Sequence, residues 1–546
     1  MRAHTARDTK LFWLVLALGA VIRLIQIPNR SLWLDEIFLA FNLVDRNFLG
    51  FFKPLNYHQI ALPGYLVLAK LTITLLGTAD WVFRSFAAFF GVTALFFLGR
   101  IAKKLLGLKW AIAAVALAAA NPILIVYATE AKPYPVDFFI SCLIFLYGLK
   151  AAESKIDLKF TLVFFFCAVT SVSAQFTLAS VVLGLGICFL RQKRWSDLLR
   201  LLLISFLYAG LMGTLYFVLL KSGMNDRYLV SGWHMNKFSP LGLFKLAEQK
   251  ELLIKFVKEL TKLLALKKLW FVFIFLALGM FRVLRNRDSR WIMLVLPIFG
   301  AYLGQEFHIL PIEFKLMMEL VPCLILLILL GLKETVTQLR KWIPFAIVFW
   351  VAPIVFSVYL FSMLGVGGKT YVRQGDSGIF ALPRENLKPA VSYLQSKVEV
   401  GDTLYLYYMT QPAFKWYSKR FGFPYTSFSP PIWTQTESAG AVITTSDAPR
   451  IINGKSSWYG NWKNYMKDFD QFRGNPRVWL LFSFIWDSTN HEVKHTISYL
   501  EKKGKIIDSY QSRHVSLYLM DFSSPYLPSR GSPIKKNQGA NQPIIP

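Results

Sequence analysis

The sequence predicts a polytopic α-helical membrane protein followed by a small α/β domain. Hydrophobic residues make up 55% of the 546 residues and charged residues only 17%. The mean hydropathy is +0.43, and apolar blocks long enough to cross a bilayer recur through the N-terminal part of the chain. From about residue 380 onwards, short strand-like and helix-like segments alternate instead.

The apolar segments predict about eleven transmembrane helices. They lie near 11–27, 83–99, 110–127, 136–150, 160–175, 177–190, 200–220, 269–284, 291–304, 316–332 and 343–364. A further apolar stretch, 60–77, could either cross the membrane or lie along its surface, and the charges of the loops decide between the two. If it lies along the membrane surface, the basic N-terminus and the basic loops all fall on one side, as the positive-inside rule requires. This arrangement predicts a multi-pass membrane protein with a cytoplasmic N-terminus and an extracytoplasmic C-terminal domain.

Three domains are expected: a transmembrane domain over 1–365, an α/β domain over 366–525 and a disordered, proline-rich tail over 526–546. Within the α/β domain, the pattern predicts helices at 385–398, 411–422 and 492–504. Strands are predicted at 402–408 and 477–484, with a strand pair at 505–522. Strands that alternate with helices are typical of an α/β layer.

The net charge of +29 comes from 61 Lys and Arg against 32 Asp and Glu. Many of the basic residues lie in short clusters between apolar segments, which favours cytoplasmic membrane loops over nucleic-acid binding. The excess charge also suits an anionic lipid. All four cysteines lie within apolar segments, so neither a disulfide framework nor a cysteine zinc site is expected.

The stretch "SLWLDEIFLA" at 31–40 contains two adjacent carboxylates, Asp35 and Glu36, in an otherwise apolar run. The predicted topology brings further ionisable and polar residues from separate loops to the same outer face. Taken singly, such residues could be helix caps, surface histidines or snorkelling lysines. Together, acidic groups suit a general base or a divalent metal, and basic groups suit a phosphate. The candidates from the other loops are His58, Glu130, Lys132, Tyr134, Glu306, His308, Glu313 and Lys315.

Four segments resemble, in order, the motifs of GT-C glycosyltransferases, specifically the bacterial relatives of protein O-mannosyltransferases and of the lipid A aminoarabinose transferase. "SLWLDE" resembles their acidic first loop, and the block from "NYHQIALPGYLVL" to "GRIAKKLLG" resembles their next conserved block. "NPILIVYATEAKPYPVDFF" is similar to their Glu-Ala-Arg-x-Tyr block, and "FKLMMELVP" to a late span start. Two features depart from the family pattern. Lys132 and Lys315 stand where relatives generally have Arg, and "HQIALPG" lacks a double proline.

The resemblance implies a GT-C fold and a polyprenyl-phosphate-linked sugar as donor, with a glycan, lipid or protein acceptor. Transfer to a hydroxyl or amine would invert the anomeric carbon. Asp35 is expected to be the general base, and repulsion from Glu36 is expected to raise the pKa of Asp35 towards neutrality. Glu36 would help by orienting the acceptor or by binding a divalent cation. Lys132 and Lys315 would counter the charge of the departing phosphate.

The remaining candidates are expected to contact the donor or a metal. Glu130, Tyr134 and His58 would bind the donor phosphate or the sugar. A divalent cation, if one is used, would be bound by Glu36, Glu130, Glu306 and His308.

Three other functions are compatible with parts of the sequence. A flippase or transporter of lipid-linked sugars would show charges deep inside spans, and the notable charges here lie at span ends. An oligosaccharide polymerase or ligase would depend on basic residues of a large outer loop. A non-catalytic scaffold would bind a partner through its outer domain.

Overall fold

The computed structural model describes residues 2–25, 27, 30–221, 246–266, 271–286, 288–306, 311–339, 384–423, 449–454, 462–485 and 487–523. The chain divides into two compact units. The first consists of Met1–Arg30 and Asp35–Pro383, and the second of Ser31–Leu34 and Arg384–Pro546. The second unit therefore includes four residues from the N-terminal region as well as the C-terminal domain.

The first unit is helical in the part that the structure describes. Its helices are α1 (Arg2–Ile25), α2 (Leu34–Asp45), α3 (Pro63–Leu76), α4 (Asp80–Leu106), α5 (Leu108–Ala120), α6 (Pro122–Tyr127), α7 (Tyr134–Glu153), α8 (Leu158–Thr170), α9 (Gln175–Arg191), α10 (Trp195–Leu215), α11 (Leu246–Leu263), α12 (Val272–Asn286), α13 (Ser289–Glu306) and α14 (Val321–Leu339). A 3₁₀ segment, Phe314–Leu320, precedes α14.

Local chemistry decides where several of these helices begin and end. Gly77 and Gly107, with φ of 87° and 98°, end α3 and α4 in backbone conformations that favour glycine. The predicted span 110–127 is broken at Asn121 and Pro122. The Asn121 carboxamide oxygen accepts hydrogen bonds from the backbone N–H groups of Ile123 (2.8 Å) and Leu124 (3.3 Å), and Pro122 occupies the first turn of α6.

Among the described residues, four helical stretches are long and apolar enough to cross a membrane: Asp80–Leu106, Tyr134–Glu153, Trp195–Leu220 and Phe314–Leu339. Shorter apolar helices accompany them, including Pro63–Leu76 in the predicted surface stretch 60–77. The protein is thus a membrane protein with many apolar helices, but the predicted count of about eleven spans is not confirmed. The predicted last span, 343–364, lies outside the described residues.

Helices α12 and α14 pack closely at two glycines. A Cβ atom added to Gly331 would collide with the carbonyl oxygen of Phe275, and one added to Gly279 would collide with that of Leu327. Small residues allow apolar helices to approach at backbone distance, where van der Waals contact stabilises the pair. The helix pair therefore depends on glycine at both positions.

We expect Gly331→Ala to lower the thermal midpoint of the detergent-solubilised protein, because α12 and α14 must separate to admit the methyl group. Overpacking of this kind destabilises by about 1–3 kcal/mol. Gly186→Ala in α9 is the matched control, since a Cβ at Gly186 meets no atom within 4 Å. The control should be neutral or slightly stabilising, because alanine favours helix more than glycine does. Equal midpoints for the two variants would contradict this account of the packing.

The second unit is an α/β domain. Its elements are α15 (Leu387–Lys397), β1 (Thr403–Leu406), α16 (Gln411–Ser418), β2 (Arg450–Asn453), α17 (Trp462–Lys467), β3 (Val478–Ser483), α18 (Asp487–Leu500), β4 (Lys505–Ser512) and β5 (Val515–Asp521). The sheet has the order β2-β1-β3-β5-β4. Strand β1 pairs in parallel with β2 and β3, whereas β5 pairs antiparallel with β3 and β4.

Every helix and strand that the sequence predicts in this domain is present. Strand β2 and helix α17 are additional, and their sequences show no clear periodicity over so few residues. Strands β1 and β3 are buried at every position, as expected for central strands covered on both faces. The predicted tail, 526–546, lies outside the described residues.

Candidate functional site

Two neighbouring carboxylates at the start of α2 have different partners. Glu36 is fully buried. Its carboxylate accepts from two guanidinium nitrogens of Arg84, Nη2 at 2.6 Å and Nε at 3.0 Å. It also accepts from Arg30 Nη1 at 3.4 Å and from the backbone N–H of Ala131 at 2.8 Å. Glu36 is therefore the centre of a buried ion-pair network.

Asp35 contacts a different set of residues. Its Oδ2 atom lies 2.9 Å from Lys132 Nζ, and its Oδ1 accepts from Gln59 Nε2 at 3.1 Å. Lys132 Nζ also donates to Gln59 Oε1 at 2.9 Å, which closes a triangle of three polar side chains. The Asp35 side chain is 33% exposed, whereas that of Lys132 is 6% exposed. Asp35 is thus a partly exposed carboxylate that forms an ion pair with a buried ammonium group.

These partners set the ionisation of the two carboxylates. Burial alone would raise the pKa of Asp35, but the charge and hydrogen bond of Lys132, the charge of Lys315 and the hydrogen bond of Gln59 lower it below its usual value. Burial likewise opposes ionisation of Glu36, and Arg84 and Arg30 outweigh it, so the pKa of Glu36 is also lowered. The expectation that repulsion from Glu36 raises the pKa of Asp35 is therefore wrong, because each carboxylate faces its own cationic partners.

The remaining first-unit candidates lie in the turn between α6 and α7, at the start of α7, in the segment before α14 and beside Gln59. Glu130 and Lys132 lie in the turn between α6 and α7, where the Lys132 backbone N–H donates to the Glu130 carbonyl at 2.8 Å. Glu130 and Tyr134 are buried, and the Tyr134 ring packs edge-on against Tyr127 at 5.1 Å. Lys315, in the 3₁₀ segment before α14, acts on Asp35 through its charge. His58 precedes Gln59 and has a left-handed backbone, with φ of 54°.

The metal ligands expected from the sequence are only partly described. Glu36 does not fit a divalent cation, because guanidinium groups and a backbone N–H already occupy its two oxygens. Glu306 is the last residue of α13, but its side chain and the whole of His308 lie outside the described residues. Within the described part of the chain, no group of three or more His, Cys, Asp or Glu side chains could bind a metal ion.

Sequence reasoning missed three side chains of this site. Arg84, Arg30 and Gln59 contact the two carboxylates directly, yet none was a candidate. A signal for Arg84 was available, because it is the one charged residue between Asp80 and Arg100 in the long apolar helix α4. A charge in such a position requires a partner. Gln59 follows the candidate His58 directly.

No protein-family model and no curated protein sequence matches the chain. Several solved structures are similar to the chain. ArnT from Cupriavidus metallidurans, an aminoarabinose transferase, in the apo state superposes with a TM-score of 0.50 at 12% sequence identity, covering 95% of this chain and 99% of that chain. The chain shares the fold of this ArnT structure. The resemblance predicted from the four motifs is thereby confirmed at the level of the fold.

Two further structures with a GT-C fold are similar at lower scores. ArnT from the same organism bound to undecaprenyl phosphate matches with a TM-score of 0.47 and 13% identity, over 93% of this chain and 97% of that chain. The Archaeoglobus fulgidus oligosaccharyltransferase in complex with Zn and sulfate has a TM-score of 0.44 and 13% identity. That match covers 73% of this chain and 61% of that chain.

Proposed function

We propose that the protein is a membrane glycosyltransferase that moves a sugar from a polyprenyl-phosphate donor to a hydroxyl or amine of an acceptor. The observation that supports this most strongly is the Asp35 site. An ionised, partly exposed carboxylate stands beside Lys132, and a second ammonium, that of Lys315, acts on it through space. A base and cations together suit a reaction in which a proton leaves a nucleophile while a phosphate departs. The GT-C fold is consistent with this chemistry.

In the proposed reaction, Asp35 accepts the proton of the acceptor hydroxyl as the acceptor oxygen attacks the anomeric carbon. The bond between that carbon and the phosphate oxygen breaks, and polyprenyl phosphate leaves with the electron pair. Lys132 and Lys315 stabilise the negative charge that develops on it. A single in-line displacement inverts the anomeric centre. Glu36 does not take part as a base in this scheme, because Arg84 and Arg30 hold it ionised and buried.

The surrounding residues and the location of the reaction complete the proposal. Glu130, Tyr134 and His58 bind the donor phosphate or sugar. A divalent cation, if the reaction uses one, is bound without Glu36 and serves the donor phosphate. The reaction takes place at the outer face of a bacterial plasma membrane, with the N-terminus in the cytoplasm, the α/β domain outside and a lipid, glycan or protein as acceptor.

A panel of undecaprenyl-phosphate-linked sugars, incubated with the purified protein in nanodiscs, tests this function. We expect undecaprenyl phosphate to be released only when a suitable acceptor is present, and the sugar to appear on that acceptor. A parallel series with EDTA determines whether a divalent cation is needed. Movement of the labelled donor across the bilayer with no release of undecaprenyl phosphate would overturn the proposal in favour of a flippase.

We expect Lys132→Met to change the pH dependence of transfer. The lowered pKa of Asp35 keeps this base ionised at neutral pH, so the wild type should lose activity only when the pH falls below the usual range of an aspartate pKa. Without the ammonium, the effect of burial is opposed less and the pKa rises. The profile of kcat/KM between about pH 4 and 8 should therefore be flat for the wild type and fall at the acid end for Lys132→Met.

Lys104→Met is the control for this pH series, because Lys104 forms an exposed ion pair with Glu153. Its profile should match that of the wild type. Lys132→Met should also use the donor less efficiently, with a higher donor KM. An unchanged acid limb and unchanged donor kinetics would remove Lys132 from the site.

A further inference from the structure

The four residues that precede Asp35 belong to the C-terminal domain. Ser31–Leu34, the 31–34 peptide, forms one compact unit with Arg384–Pro546. Ser31 and Leu32 are fully buried there, and Leu34 is 4% exposed. The residue bonded to Leu34 is the proposed base, Asp35. The backbone from which Asp35 projects is therefore continuous with a peptide that belongs to the second unit.

Side chains of the C-terminal domain bind the backbone of this peptide. Glu385 Oε1 accepts from the Leu34 N–H at 2.6 Å, and the Tyr417 hydroxyl accepts from the Leu32 N–H at 2.6 Å. Glu385 is 1% exposed and Tyr417 is fully buried. Buried backbone N–H groups need a partner, and here both partners come from residues more than 350 positions away along the chain.

The first and third residues of the peptide are held as well. Asn386 Oδ1 accepts from the Ser31 N–H at 3.1 Å and from its hydroxyl at 2.9 Å. The Ser31 hydroxyl oxygen in turn accepts from the Lys388 N–H at 2.8 Å. The guanidinium of Arg384 lies 3.8 Å from the centre of the Trp33 ring. Every residue of the 31–34 peptide thus contacts the segment 384–388 or Tyr417.

The hydrogen bond from Leu34 has a particular consequence for α2. Leu34 is the first residue of this helix, and the first N–H groups of a helix have no partner within it. Capping residues such as Ser or Asp usually precede a helix, but the indole side chain of Trp33 has no hydrogen-bond acceptor. The Glu385 carboxylate takes over this role and adds a negative charge at the positive end of the helix. It therefore stabilises the turn that bears Asp35 and Glu36.

We propose that Glu385, Asn386 and Tyr417 are positioning residues of the transfer reaction, which hold the 31–34 peptide and with it the first turn of α2. The inference rests on the proposed function, since Asp35 must be the base for its position to matter. It gives the C-terminal domain a part in catalysis that requires no contact with the substrate. A misplacement of a reacting group by about 1 Å can lower a rate about 100-fold.

The test compares variants that remove a hydrogen-bond acceptor of the 31–34 peptide with control variants that leave it in place. Glu385→Leu removes the oxygen that binds Leu34, whereas Glu385→Gln keeps an oxygen in that place. Tyr417→Phe removes the hydroxyl that binds Leu32. Tyr407→Phe is its matched control, because Tyr407 is also fully buried in this domain and its hydroxyl donates instead to Glu492 at 3.1 Å. All are assayed in nanodiscs as full-length protein.

We expect Glu385→Leu and Tyr417→Phe to lower kcat by about tenfold to 100-fold, with Glu385→Gln close to the wild type. The Kd for undecaprenyl phosphate should not change, because Asp35 and not the donor site is displaced. Hydrogen exchange at the amides of Leu32 and Leu34 should accelerate in the two damaging variants alone. Thermal midpoints of Tyr417→Phe and Tyr407→Phe should agree, which separates positioning from a general loss of stability.

Two outcomes would overturn the inference, and they are distinguishable. If the wild type transfers sugar and Glu385→Leu and Tyr417→Phe keep the kcat of Tyr407→Phe, the positioning role is wrong while the proposed function stands. If the wild type transfers sugar from no donor of the panel, the proposed function fails and this inference fails with it.

Discussion

Replacement of Asp35 by Asn is expected to abolish sugar transfer. Asparagine has nearly the same shape and keeps one of the two oxygens, which can accept from Lys132 or Gln59, but it cannot accept the proton of the acceptor. General base catalysis contributes about 10²–10⁴-fold, so release of undecaprenyl phosphate should fall by at least that factor. Because the partly exposed Asp35 lies outside the buried Glu36 network, the variant should still fold and bind undecaprenyl phosphate.

Asp45→Asn is the control for this experiment. Asp45 is the last residue of the same helix, α2, and is exposed, so the same chemical change there should leave transfer unaltered. Size-exclusion chromatography and the Kd for undecaprenyl phosphate show whether Asp35→Asn is folded. Normal transfer by a folded Asp35→Asn protein would rule out Asp35 as the base.

The sequence could predict that Asp35 and Glu36 are unusual, but not how they differ. Adjacent carboxylates in an apolar run suggest repulsion, and that argument considers only neighbours along the chain. The partners that decide the outcome are distant: Arg84 lies 48 residues from Glu36, and Lys132 reaches Asp35 from the turn between α6 and α7. Consecutive residues of a helix point in different directions, so α2 can present one carboxylate to each set of partners.

The fold was predictable where periodicity or length is strong. Apolar runs predict the long helices, and the pattern predicts β1, β3 and the hairpin of β4 and β5. The assignment of the 31–34 peptide to the C-terminal domain could not be foreseen, because it depends on hydrogen bonds to Glu385 and Tyr417. The local sequence of the peptide does not predict these hydrogen bonds, because they form only in the tertiary structure.

Arg84→Met is expected to destabilise the protein more than any surface substitution. Arg84 and Glu36 are both fully buried, and two guanidinium nitrogens bind the carboxylate. A third nitrogen, Nη1, donates to the Arg30 carbonyl at 2.9 Å. Removal of one partner from such a pair leaves a buried charge poorly compensated, and this lowers the free energy of unfolding by about 3–5 kcal/mol. Thermal or denaturant unfolding in nanodiscs measures the loss.

Arg290→Met is the matched control, because Arg290 pairs with Asp288 at 2.8 Å but is 46% exposed. Exposed ion pairs contribute only about 0–1 kcal/mol, so this variant should unfold close to the wild type. Arg84→Lys should fall between the two, since lysine keeps the charge but cannot form the planar two-point contact. If Arg84→Met were as stable as Arg290→Met, the Glu36 network would not be a main source of stability.

The same variant also tests why two carboxylates are needed at the start of α2. Glu36 accepts from the N–H of Ala131, the residue next to Lys132, so the network joins the helix that bears the proposed base to the turn that bears its cation. Loss of Arg84 should therefore lower kcat in the folded fraction as well, by loosening the contact between Asp35 and Lys132. A folded Arg84→Met protein with wild-type kcat would restrict Glu36 to a purely structural role and leave the geometry of Asp35 to Gln59, Lys132 and the 31–34 peptide.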